Sequence, residues 1–149
     1  MTTTSIHDIL LIDLRQIIDE RGAVLHHLRN DAVNFRSFGE AYFSEIIPGA
    51  IKAWKRHRTQ GQNLAVPIGR VRFVIYDDRT DSPTCGAVDV IELGRPDNYQ
   101  RLTIPFGLWY GFHCVSEIPA LIANVVDIPH NPNDVELLDQ NDDRMPYRW

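Results

Sequence analysis

From residue 40 onward the sequence is cut into short apolar runs by turn residues, and this rhythm limits the possible folds more than any other feature. EAYFSEII stops at Pro48-Gly49, AIKAWKRH stops at an RTQGQ turn, and NLAVPI runs to Gly69. RVRFVIYDD alternates Val71, Phe73 and Ile75 ahead of a loop rich in Asp, Ser and Pro. AVDVIEL, RLTIPF, FHCVS and ALIANVVDI continue the series. The runs favour β-branched and aromatic residues, and turn signals recur about every 8–12 residues, which predicts an all-β sandwich or barrel. Upstream, DILLIDLRQII fits a helix or a strand, because both periods suit a short apolar run. Asp19-Glu20-Arg21-Gly22 reads as a turn, AVLHHL as a strand, and residues 30–39 as a loop or short helix.

The 149 residues suit one domain with a real core. The expected organisation is a single unit over 1–149, with a strand and loop extension over 1–40. Residues 129–149 form a polar tail whose Pro146-Tyr147-Arg148-Trp149 cluster is expected to pack back onto the barrel. No apolar run approaches the ~20 residues of a membrane helix, and no basic stretch precedes the first apolar run as in a secretory signal. Two cysteines make no disulfide framework, so the expected setting is the cytoplasm, with reduced thiols and no membrane partner.

The net charge of −5 argues against a nucleic-acid partner. Its distribution says more. Between Ile46 and Tyr76 there is no Asp or Glu, yet Lys52, Lys55, Arg56, Arg58, Arg70 and Arg72 all fall there. A basic segment in an acidic chain suits either a local anionic ligand or a basic face paired with acids elsewhere.

Gly49, five residues, Lys55-Arg56-His57, four residues, Gln62, six residues and Gly69 resemble the cupin spacing of Gly, His-x-His, Glu and Gly. Pro105-Phe106-Gly107-Leu108-Trp109-Tyr110 resembles the superfamily's second motif, Pro-x-Gly-x-x-His. The resemblance implies an all-β, cupin-type jelly roll (a double-stranded β-helix) with short helical or irregular segments. Three of the four metal-ligand positions differ, with Lys55 and Tyr110 replacing His and Gln62 replacing Glu. An ammonium repels a divalent ion and His57 alone cannot hold one, so neither metal nor other cofactor is expected.

Over nearly its whole length the chain resembles a metal-independent cupin branch, the dTDP-4-dehydrorhamnose 3,5-epimerase family. The resemblance is carried by Asp19-Glu20-Arg21-Gly22, Phe43-Ser44, Gly49-Ala50-Ile51-Lys52, Ile104-Pro105-Phe106-Gly107, Gly111-Phe112 and the ending Pro146 to Trp149. Its most specific stretch is Asp77-Asp78-Arg79 with Asp81-Ser82-Pro83-Thr84. The family's chemistry removes a proton beside a sugar ketone and returns one to the opposite face, using a His base oriented by an Asp, a cation for the enolate and a Tyr acid. By the resemblance the base falls on Lys55, its Asp on about Asp142, the cation on Gln62, the Tyr on Asn124 and a further His on Tyr110. Only the Asp is kept.

Three readings follow. In the first the site is rebuilt, with Lys55, desolvated among Trp54, Trp109 and Phe112, as base or enolate stabiliser, Tyr110 as acid and His57 as a second proton-transfer group. In the second the barrel binds a nucleotide sugar or other anionic ligand without chemistry. In the third the centre is structural, Lys55 pairing with Asp142. The resemblance further implies that Arg21 and Lys52 contact nucleotide phosphates, although Arg21 could simply pair with Asp19 or Glu20. Trp54 and Trp109 suit either a stacked ring or the core, and His130 matches an aromatic position near the sugar. The expected function is a nucleotide-sugar isomerase or epimerase acting on a keto-deoxysugar nucleotide in polysaccharide or deoxysugar metabolism, as a homodimer. The second expectation is a non-catalytic binder on the same barrel.

Overall fold

A computed structural model of the chain describes residues 4–149. Two five-stranded antiparallel sheets face one another as a jelly roll. The first has the order β1 (Leu10–Asp13), β9 (Gln100–Ile104), β6 (Gln62–Ile68), β11 (Ala120–Val126), β4 (Glu40–Ile46). The second has the order β12 (Val135–Leu137), β5 (Ile51–His57), β10 (Trp109–Cys114), β7 (Arg70–Tyr76), β8 (Val88–Gly94). A separate hairpin joins β2 (Gln16–Asp19) to β3 (Gly22–Leu25), so the ambiguous early run is two short strands rather than a helix. Residues 30–39 form a loop, and a 3₁₀ turn, Pro132–Asp134, leads into β12.

Alternation decides which side chains meet between the sheets. On β11, Ala120, Ile122, Asn124 and Val126 are buried while Leu121, Ala123 and Val125 lie between. The shared core includes Leu64, Val66, Phe73, Ile75, Ile91, Leu93, Leu102, Ile104, Phe112 and Cys114. Full burial of a side chain such as Phe73 contributes about 2 kcal/mol. Gly49 and Gly69, which frame the cupin-like spacing, both take left-handed backbone, at φ 79° and 78°. They turn the chain into β5 and out of β6, so the spacing measures these two strands and the turn that carries the chain from one sheet to the other.

A second cluster sits outside the second sheet, where Trp54, Val74, Trp109 and Met145 are buried with Tyr147 and Trp149 against them. The Trp54 and Trp149 rings lie 5.1 Å apart. The tail therefore covers the outer face of β5, and β12 pairs along that strand's edge, Val135 against His57 and Leu137 against Lys55. Both cysteines are free, Cys85 exposed and Cys114 buried. No helix among the described residues is long and apolar enough to cross a membrane.

Candidate active site

The two sheets part where edge strand β4 faces β5 and β12. There a cavity of about 470 Å³ opens, lined by Glu40 and Tyr42 from β4, Lys55 and His57 from β5, His130 and Pro132 from the connecting loop, and Val135 and Leu137 from β12. On β4, Glu40, Tyr42 and Ser44 alternate inward while Ala41, Phe43 and Glu45 are exposed. On β5 the register against β10 slips, because Tyr110 stands opposite Lys55 and Phe112 opposite Lys52. The extra residue in β5 turns Lys52, Lys55 and His57 to the same side, as β-bulges do.

Lys55 has no hydrogen-bond or ion-pair partner among the described residues. Burial, and then the charge of Lys52, pull its pKa below the ordinary lysine value. An amine placed this way loses its proton more readily than a free lysine and can serve as a base. His57 lies behind it, its Nε2 3.1 Å from the Tyr110 hydroxyl and its Nδ1 3.7 Å from the Asp134 carboxylate. Burial pushes the Tyr110 phenol far above its usual range, so the hydroxyl stays protonated and shares a hydrogen bond with Nε2. Asp134 itself accepts from the Thr59 hydroxyl at 2.5 Å and the Gln60 amide at 3.1 Å.

Burial, followed by the charge of Lys55, pulls the His57 pKa down from 6.5 to about 4, against the attraction of Asp134. The unfolded chain therefore takes up a proton at higher pH than the folded one. Stability that is complete above pH 6.5 is lost as the pH falls toward 4. Urea unfolding at pH 7 and pH 4.5 checks this. The loss should be about 2 kcal/mol smaller in His57→Gln than in the wild type, and equal losses would remove His57 as its source.

A chain of buried amides runs behind Tyr42. Asn124 Nδ2 donates to Gln62 Oε1 at 2.6 Å and to the Tyr42 hydroxyl at 3.2 Å. Gln62 Nε2 donates to Gln60 Oε1 at 2.7 Å, and Gln60 Nε2 to the Ile128 carbonyl at 2.9 Å. His130 is tied to the rim through its backbone amide, 3.0 Å from Glu40.

The residues expected from sequence divide accordingly. Lys55, His57 and His130 line the mouth, with Tyr110, Gln62 and Asn124 buried behind them. Lys52 lies beside it, donating to the Glu45 carbonyl at 2.7 Å and the Ser44 hydroxyl at 3.3 Å. Three expectations need correction. Asp142 does not pair with Lys55, because Arg144 holds its carboxylate at 2.7 and 2.9 Å. Tyr110 is no acid for a ligand in the cavity, because it is buried with its hydroxyl on His57. Trp54 and Trp109 belong to the outer cluster instead of flanking Lys55, and the Trp109 indole donates to Asp78 at 3.0 Å beneath the Arg56 guanidinium. Of the two readings of Arg21, the structure contains the pairing with Asp19 at 2.8 Å in the β2–β3 turn.

Two residues of the site were missed. Tyr42 could have been found, since EAYFSEI alternates and places it with Ser44. Asp134 has no such signal, because it lies in an aperiodic polar loop. Among the described residues no group of three or more His, Cys, Asp and Glu side chains is placed to hold a metal ion.

Comparison with known proteins adds a lineage to this geometry. The family model described as dTDP-4-dehydrorhamnose 3,5-epimerase matches residues 3–149. The chain is 37% identical to a probable low-salt glycan biosynthesis epimerase, Agl13, of Haloferax volcanii, over 96% of this chain and 89% of that protein. It is 33% identical to the spore coat polysaccharide biosynthesis protein SpsL of Bacillus subtilis, over 88% of this chain and 87% of the relative. The crystal structure of a dTDP sugar isomerase from Desulfovibrio desulfuricans superposes with a TM-score of 0.95 at 47% identity, covering 97% of this chain and 92% of that one.

Proposed function

The chain belongs to the dTDP-4-dehydrorhamnose 3,5-epimerase family, and from that premise we propose that it is an isomerase of a keto-deoxysugar nucleotide with a rebuilt acid–base site. The observation that carries this reading is Lys55, an unpartnered and largely buried amine on the cavity wall with a lowered pKa. It stands where the family's base is expected. A carbon next to the sugar ketone would give its proton to the Lys55 amine, leaving an enolate, and a proton delivered to the opposite face would complete the inversion. Lys52, beside the mouth, supplies positive charge suited to the nucleotide's phosphates. The names of the Haloferax and Bacillus relatives place those proteins in glycan and polysaccharide biosynthesis, which supports the same setting here.

The test is to incubate the protein with 4-keto sugar nucleotides in deuterated water and follow carbons 3 and 5 by NMR. Exchange at either carbon is expected. A substrate that demonstrably binds yet exchanges at neither would favour the second reading, a sugar-nucleotide binder on the same barrel, which the replacement of the expected His base and Tyr acid also supports.

A homodimer is part of the proposal. β4 is an edge strand whose outward Phe43 is 69% exposed, with Ile47 next to it at 62%. An apolar edge of this kind suits a second copy. Analytical ultracentrifugation should give about 34 kDa for the wild type, twice the 17.1 kDa chain, and a monomer for Phe43→Glu with Ile47→Glu. A wild-type monomer would remove the dimer from the proposal.

A further inference from the structure

We propose that Tyr42 is the proton donor of the mouth, acting from the wall opposite Lys55; this rests on the proton-abstraction reading above. Tyr42 stands on β4 and Lys55 on β5, and both line the same cavity. Their strands belong to different sheets, so a ligand between them meets one group from each side.

The hydrogen-bond direction around Tyr42 is fixed by backbone groups at both ends of the amide chain. Asn124 Oδ1 accepts from the Asn63 amide at 3.2 Å, so Nδ2 is the edge turned to Gln62 and Tyr42. At the far end Gln60 donates to the Ile128 carbonyl, which can only accept. Flipping any one amide would set donor against donor or acceptor against acceptor. The Tyr42 oxygen is therefore an acceptor toward Asn124, and its own proton is free for another group. Among the described residues none takes that proton, while a ligand oxygen or carbanion in the cavity would lie in its reach.

The same arrangement suits the aftermath of transfer. Once Tyr42 has given its proton, the Asn124 N–H already points at the phenolate oxygen and stabilises it without rearrangement. Before transfer, burial and the nearby Glu40 charge hold the phenol protonated above its usual value, with Asn124 opposing them. Tyr110 cannot take this part, since it is buried behind His57 and does not line the cavity. The step balances. The carbon–hydrogen bond on one face breaks to Lys55, a new one forms from Tyr42 on the other, and solvent restores the tyrosine proton while removing that of Lys55.

Tyr42→Phe separates the two faces. With a substrate that the wild type inverts in deuterated water, the variant should lose inversion by about 100-fold or more. It should keep wash-in of deuterium with retained configuration within about 10-fold, since Lys55 still removes and returns the proton on its own face. Asn124→Leu, which leaves the tyrosine but removes its donor, should lower kcat about 10-fold with KM unchanged. Inversion by Tyr42→Phe at the wild-type rate would overturn the assignment alone. A wild type that exchanges no proton would overturn the proton-abstraction reading and this assignment with it.

Discussion

Asp77→Ala is expected to cost about 4 kcal/mol of folding stability. The Asp77 carboxylate is wholly buried. It accepts from the Arg79 backbone amide and guanidinium at 2.9–3.1 Å, from the Ser82 hydroxyl at 2.6 Å and from the Thr84 hydroxyl at 2.7 Å. Burial alone would push the carboxyl up, yet these bonds hold it well below the usual carboxylate range. Removing it leaves one guanidinium and two hydroxyls without their acceptor in a largely buried loop. The damage spreads, because Arg79 also reaches the His7 carbonyl at 3.0 Å, and Thr84 accepts from the His7 amide at 3.0 Å. Urea denaturation measures the loss directly, and a change under about 1 kcal/mol would show that the loop holds together without its acid. Asp-x-Arg…Ser-Pro-Thr, the most family-specific stretch of the sequence, is thus a clamp for the β7–β8 loop and residues 5–8.

Lys55→Met should move activity and stability in opposite directions. Losing the general base lowers any exchange or inversion by about 10³-fold. The same change removes an ammonium that is largely buried without a counter-charge, and a thioether of similar length fills the space. Stability should therefore rise by about 1 kcal/mol, read as a higher Tm. A structural lysine would give the reverse, a drop in stability with activity following it down. Lys52→Met supplies the companion result. Without the second cation the Lys55 pKa moves back up, and the pH at which the rate reaches half its maximum should rise with it.

The strands after residue 40 were legible because each run alternates or ends at a turn residue; their number and spacing gave a sandwich or barrel, and the cupin resemblance narrowed it to a jelly roll. Strand β12 was not legible, because Val135–Leu137 is too short to declare a period and forms by pairing with β5. At the site, Lys55 and His57 stand two apart and were bound to share a face. Lys52 and Trp54 were harder. Simple alternation puts both on the face opposite Lys55; that holds for Trp54, which lies in the outer cluster, but the bulge in β5 turns Lys52 back to the side of Lys55. The acid beside His57 was beyond reach of pattern. The tail holds Asp134, Asp139, Asp142 and Asp143 without periodicity, and Arg144, two residues on, captures Asp142.

One consequence concerns synthesis rather than catalysis. The strand that carries Lys55 and His57 is covered on its outer face by Trp149 and along its edge by Val135–Leu137, more than seventy residues later in the chain. A growing chain that has made the whole first sheet and most of the second still exposes Trp54 and an open strand edge. The cavity wall is finished once residues 135–149 have left the ribosome. Until then the nascent protein carries an unpaired, tryptophan-bearing strand that a chaperone or another nascent chain can bind.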